Sequence, residues 1–184
     1  MSEINSTKVV TGTVRFSYAN VFEARAMEEG QEAKYSTAVL IPKSDKKTLA
    51  LIEKAIEAAK AQGKSLWGGK IPQNIKLAVR DGDEARPDEE AYAGHYFFNC
   101  SSKNKPTVIA KDRTTITSGN DFYSGCYGRV SVNFYAFNVK GNRGIGVGLN
   151  NILKEKEGEP LGGQTAAIDD FAEFIDPFED DFLD

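Results

Sequence analysis

Apolar and polar residues alternate from Thr11 onward, with Val14, Phe16 and Tyr18 on one side and Thr13, Arg15 and Ser17 on the other. A period of two predicts a half-buried strand within residues 8–19. A second strand is predicted from Lys34 to Ile41, closed by Pro42-Lys43. The spacing then changes: Leu49, Ile52, Ile56 and Ala59 recur at helical intervals. This predicts one amphipathic helix of about four turns, with Ser44 as N-cap and Gly63 as its stop. Residues 64–74 read as a loop, 75–79 as a short strand, and the acidic stretch 80–93, with Pro87 inside it, as a solvated loop. Further strands are predicted at 95–101, 107–110, 128–139 and 144–149, with turn signals at Lys103-Asn104-Lys105-Pro106 and Lys140-Gly141-Asn142. Roughly seven short strands with a single helix predict a mainly β fold, a barrel or a sandwich. An OB-like β-barrel with one interposed α-helix fits best, and a plain β-sandwich is the alternative.

From Glu155 the pattern stops, and Gly158, Pro160, Gly162 and Gly163 read as a linker. The charge divides at the same place. Residues 1–156 carry 23 basic and 17 acidic side chains, a net of +6, whereas residues 157–184 carry ten acidic and no basic ones, −10. The organisation expected is a body over 1–156 and a flexible linker with an acidic tail over 157–184. So dense a run of charge, with Pro177 inside it, buries too little to offset its ordering entropy, and a disordered tail is predicted. A basic body with an acidic tail points to nucleic acid, which the overall pI of 5.2 conceals.

Catalytic and metal chemistry find little purchase. Ala58 to Ser65 reads A-A-K-A-Q-G-K-S, close to a phosphate-binding loop. Such a loop needs a strand before it and a helix after it, and here the helix comes first. The Asp81-Gly82-Asp83-Glu84 run fails calcium-loop spacing at Ala85. His95 has no evident nucleophile to serve, and a zinc site needs about four ligands where one His and the separated Cys100 and Cys126 stand. No enzyme, no metal and no cofactor are expected. The first six residues show no secretory pattern and no long apolar run follows, so a reduced cytoplasmic setting is the default.

Binding chemistry concentrates on the strand at 127–137. Val130, Val132, Phe134 and Ala136 form an apolar face assigned to the core. The opposite face carries Tyr127, Arg129, Ser131, Asn133, Tyr135 and Phe137, which combines stacking rings, a phosphate-reaching cation and amides. Unpaired nucleic acid needs that combination; packing of Tyr135 or Phe137 under a loop is the alternative. On the strand from His95, Phe97 and Asn99 are expected outward, because Asn99 is the costlier residue to bury. Lys103 with Lys105, and Lys111 with Arg113, are candidate phosphate contacts, followed by Phe122-Tyr123 as a candidate ring. Trp67, between Lys64 and Lys70, is either a base stacker or a plug in the core.

These residues carry a resemblance. The run Thr117-Ser118-Gly119-Asn120-Asp121-Phe122-Tyr123-Ser124-Gly125-Cys126-Tyr127-Gly128-Arg129, then Phe134-Tyr135-Ala136-Phe137 and Gly144-Ile145-Gly146-Val147-Gly148-Leu149-Asn150-Asn151, resembles a widespread phage and prophage family. That family, formerly a domain of unknown function, comprises single-stranded DNA-binding proteins with an OB fold. Leu40-Ile41-Pro42-Lys43 fits as well, and the resemblance spans most of residues 8–163. It implies sequence-independent binding and protection of single-stranded DNA during phage replication or recombination, in the host cytoplasm. The tail is similar in type to those of bacterial and phage single-strand-binding proteins, although it ends Phe182-Leu183-Asp184 rather than on the ring.

A tethered polyanion competes with DNA for a basic groove at an effective concentration reaching about millimolar. Phe171, Phe174, Phe178 and Phe182, with Asp180, Asp181 and Asp184, are the expected anchors for replication or recombination proteins. A virion or protein-interaction β-sandwich and single-stranded RNA binding are the competing readings, and the oligomeric state is left open.

Overall fold

In a computed structural model, residues 7–26, 29–73, 75–76 and 78–161 are described. The elements are β1 (Lys8–Val10), β2 (Val14–Arg25), β3 (Lys34–Pro42), α1 (Lys46–Gly63), β4 (Arg80–Asp81), α2 (Gly82–Ala85), β5 (His95–Ser102), β6 (Thr107–Ala110), β7 (Tyr127–Val139) and β8 (Asn142–Lys156). Five strands close on themselves in the order β7-β2-β3-β5-β8-β7. Every pairing in the ring is antiparallel except β5 with β8, which is parallel and meets at Ser101↔Gly148. This is the OB-type barrel expected from the pattern. β1 extends the sheet beside β7, β6 beside β8, and β4 beside β5.

Alternation places Phe16, Val39, Phe98, Val130, Val132, Phe134, Val147 and Leu149 in one core. α1 turns Ile52, Ala55 and Ala59 inward against it. At the helix end Gly63 leaves no room for a Cβ beside the Ala136 side chain, so the helix backbone lies directly on β7.

Several local expectations change. The strand expected over 8–19 is two strands, separated by Thr11-Gly12-Thr13. Its alternation also breaks: Ser17 is buried and Tyr18, at φ 47°, turns out to solvent, because the pairing with β3 slips between Ser17 and Asn20. The helix cap is Asp45, not Ser44: the helix starts at Lys46, and the Asp45 carboxylate accepts from the Thr48 N–H at 3.1 Å. Of the strand expected at 75–79, Lys76 makes one bridge to Gly144, and regular pairing starts at Arg80. β8 runs to Lys156, well past its expected end, because the added β6 gives it a partner there.

The segment 80–93, expected as a loop, folds over the outer face of β3 and β5. Tyr92 packs edge-on against Phe97 at 5.0 Å, and with Leu40 they form a second small core outside the barrel. Lys43 fastens the segment, its Nζ lying 2.9 Å from Asp81 and 2.8 Å from Asp83. The hydrogen bonds from Lys43 hold both carboxyls below the ordinary carboxylate range. Groups depressed in this way add stability that is present above their unfolded pKa, about 4, and lost as pH falls through the folded values. Lys43→Met is therefore expected to lower the melting temperature at neutral pH. That deficit should shrink as the pH drops below about 4. A deficit constant across a melting-temperature titration would show that the pairs do not hold the segment.

Residues 157–161, expected to open the linker, are tied to the body. The Tyr123 hydroxyl donates to the Gly158 carbonyl at 2.9 Å and the Leu161 N–H to Ser124 O at 2.9 Å. Arg15 spans Gly125 O at 3.1 Å and Glu159 O at 2.8 Å. The tail anchors from Phe171 to Asp184 lie outside the described residues.

Candidate nucleic-acid interface

Ile145, Val147 and Leu149 point into the barrel, so Gly144, Gly146 and Gly148 fall on the outer face of β8. Across the strand pair they stand opposite Phe137, Tyr135 and Asn133. The missing side chains have a use. A Cβ at Gly146 would sit 2.6 Å from Tyr135 Cζ and 2.7 Å from its hydroxyl, so the ring lies down across the neighbouring strand. Tyr135 is nonetheless 47% exposed, with a face available for stacking. A Cβ at Gly148 would meet nothing nearer than 3.7 Å, which leaves a shallow floor beside the ring. Phe137 lies against Gly144 under Lys76 and is partly buried, the packed alternative for that ring. Asn133 reaches Asn150 at 3.5 Å, and Asn150 reaches Ser131 at 3.4 Å; such long contacts leave amide donors to spare.

Arg129 is exposed at the lower end of this face, 3.3 Å from Glu155. A hydrogen bond from Thr13, then one from Arg129 together with its charge, holds the Glu155 carboxyl below the ordinary range. Lys111 also adds to that field, and Arg113 stands exposed in the turn beside it at φ 74°. The Tyr127 ring has the Arg15 guanidinium 5.1 Å and the Lys156 ammonium 4.7 Å from its centre. Lys103 pairs with Glu32 at 3.3 Å, and Lys105 lies over Phe22 at 5.9 Å. Asn99 is exposed on the outer face of β5; with Ser101 opposite Gly148 in parallel register, Asn99 is level with Gly146.

The chain from 7 to 183 matches the family model described as the Enterobacter phage Enc34 ssDNA-binding protein. It belongs to that family. A curated relative, a putative protein p50 from Acyrthosiphon pisum secondary endosymbiont phage 1, is 28% identical over 187 residues, covering 96% of this chain and 98% of its own. The single-stranded DNA-binding protein from bacteriophage Enc34, solved in complex with ssDNA, superimposes with a TM-score of 0.74 at 27% identity, over 85% of this chain and 90% of that one. Gp2.5, a single-stranded DNA-binding protein encoded by bacteriophage T7, shares the fold: TM-score 0.61 at 14% identity, over 94% of this chain and 96% of that one.

Three expected contacts of this Enc34-family chain are corrected by the fold. Trp67 is 6% exposed, and its Nε1 donates to Phe137 O at 3.0 Å, so it plugs the core. Phe97 does face away from the barrel, yet it is 1% exposed because Tyr92 covers it. Tyr123 is partly buried and spends its hydroxyl on Gly158, while Phe122 beside it packs on Phe16 at 5.1 Å. Burial also pushes the Cys100 thiol up to about 12, which removes it as a nucleophile.

What the Enc34-type sequence pattern offered and the reading of single faces passed over is the period-two glycine run 144–148. It marks where rings from the next strand are meant to lie.

Proposed function

We propose that this chain binds single-stranded DNA without base preference on the outer face of β7 and β8, as a non-catalytic protein of phage replication or recombination in the host cytoplasm. The observation that carries this reading is the exposed Tyr135 ring laid on the Gly146 backbone beside the under-used amides of Asn133 and Asn150. A ring presented in that way stacks on any base, and amides with donors to spare can meet more than one base edge, so affinity comes without sequence. Phe137 packs at Gly144 next along the strand pair, Asn99 adds an amide on β5, and Arg129, Lys111 and Arg113 supply phosphate contacts at the lower end. The family match and the Enc34 protein's complex with ssDNA support the ligand class.

The acidic tail acts on the same face. It competes with DNA through its charge and, once displaced, engages replication or recombination proteins through its phenylalanines. Deleting residues 164–184 removes eight acidic and no basic side chains. The truncated chain is expected to bind labelled oligonucleotide roughly tenfold tighter at low salt, with the gain fading as the Debye length falls from about 10 Å to about 3 Å. Titration of single-stranded DNA, duplex DNA and RNA of equal length, with full and truncated chains at two salt concentrations, checks both parts. Equal or tighter binding of duplex or RNA by the full chain would sink the ligand assignment. Unchanged affinity on truncation would remove the competitive role of the tail.

A further inference from the structure

Two neighbours are fixed against the tip of the β7–β8 hairpin. Asn138 Nδ2 donates to the Leu66 carbonyl at 3.0 Å, and the Lys76 N–H donates to the Arg143 carbonyl at 3.0 Å. The result is a cationic patch with apolar points: Lys76, Lys140 and Arg143 are exposed around Val139 and Leu66, themselves 58% and 52% exposed. No acidic residue occurs between Glu57 and Asp81 or between Asp121 and Glu155, the stretches that build this patch. It lies at the far end of the strand pair from Arg129.

The segment 80–93, over β3 and β5, has the opposite sign. Lys43 neutralises Asp81 and Asp83, and Arg86 pairs with Glu89 at 3.7 Å. Glu84, Asp88 and Glu90 are exposed and, like Lys76, Lys140 and Arg143, enter no ion pair among the described residues. Register sets the two surfaces at one level: with Ser101 opposite Gly148 in parallel pairing, Phe97 beneath the segment is level with Gly144, next to Arg143. In the ring β7-β2-β3-β5-β8 the β7–β8 and β3–β5 pairs lie across from each other. The barrel therefore has a cationic side and an acidic side that face different ways.

We propose that these two sides meet between neighbouring copies of this chain on one strand of DNA, the β7–β8 tip of one copy against the 80–93 segment of the next. The contact rests on the single-strand-binding reading above. Tyr135, Asn150 and Asn99 stand on β7, β8 and β5 in turn, so a bound strand runs from the cationic side toward the acidic one. Copies that follow one another in the same polarity present opposite charges to each other, and Val139 and Leu66 bury apolar area between them. Because the two surfaces differ, the contact is head-to-tail and extends along a strand instead of closing as a dimer. Exposed ion pairs are individually weak, so free copies gain little from it. A shared strand holds neighbours close, and there the same contact makes binding cooperative.

The test uses the full chain and two fluorescent oligothymidylates, one of about 10 nucleotides that holds a single copy and one of about 70 that holds several. Wild type is expected to bind the long strand about tenfold tighter per site at low salt, a ratio that fades as salt rises. Lys140→Glu with Arg143→Glu should remove that ratio and leave short-strand affinity as in wild type. Glu84→Lys with Asp88→Lys should remove it from the other side. All four positions are exposed, and melting temperatures check that the variants are folded. The chain with all four changes carries the charges exchanged and should recover the ratio; failure to recover it overturns the contact. If wild type binds both strands equally well per site, copies do not touch and the function stands. If the hairpin variant weakens both strands alike, Lys140 and Arg143 contact DNA and not a neighbour. If it removes the ratio while the Glu84/Asp88 variant keeps it, the acidic tail and not the segment occupies the tip. If wild type binds neither strand, the function falls and the contact with it.

Discussion

Trp67→Ala is expected to cost about 3–5 kcal/mol of folding stability, the range for removing a large buried aromatic from a core. The indole is 6% exposed, closes the core beside α1, and donates its N–H to the Phe137 carbonyl at 3.0 Å. Truncation leaves a cavity and an orphaned carbonyl at the same time, and the two costs add. Urea unfolding should show the midpoint falling steeply, while oligonucleotide affinity of the folded protein changes little. Trp67→Phe should fall between, since it keeps most of the ring and loses the hydrogen bond, worth about 1 kcal/mol. The opposite pattern, lost affinity with stability intact, would return Trp67 to the binding surface.

Tyr135→Ala should weaken single-strand binding by about 1–3 kcal/mol, roughly fivefold to 150-fold, the range for one base–aromatic stack. No phosphate contact is lost, so the salt slope should remain, and the deficit should be alike at every salt concentration. Tyr135→Phe should bind almost as wild type. Gly146→Val reaches the same ring from the other side: its Cβ would fall 2.6 Å from Tyr135 Cζ and tip the ring off the strand. The pair should therefore be non-additive, with Gly146→Val costing little once Tyr135 is Ala. Independent, additive losses in that double-mutant cycle would mean the glycine does not serve by seating the ring.

The features that depend on near neighbours were legible in the sequence. Period-two alternation marked β5 and β7 within a residue or two, short apolar runs bounded by turn signals marked β3 and β6, and period 3.6 marked α1. The polar face of β7, from Arg129 to Phe137, follows from one inward residue on that strand, because successive side chains must alternate. Charge placement along the chain divides a basic stretch over 1–156 from an acidic one over 157–184 without any structure.

What crosses between strands was decided only by the fold. Tyr18 leaves the face of Val14 and Phe16 because a slip against β3 intervenes, and alternation on one strand carries no record of its partner's register. Phe97 points outward as the asparagine argument required, but whether an outward ring meets water depends on Tyr92 arriving from another segment. Trp67 has the same chemistry as a stacker or a plug, and the position of Phe137 on β7 selects the plug. Ser36 and Gly148, more than a hundred positions apart, both come to stand beside Ser101, and they do so only because β5 pairs with β3 on one edge and closes the barrel against β8 on the other. Local pattern settles which way a side chain points; closure of the barrel settles what it points beside.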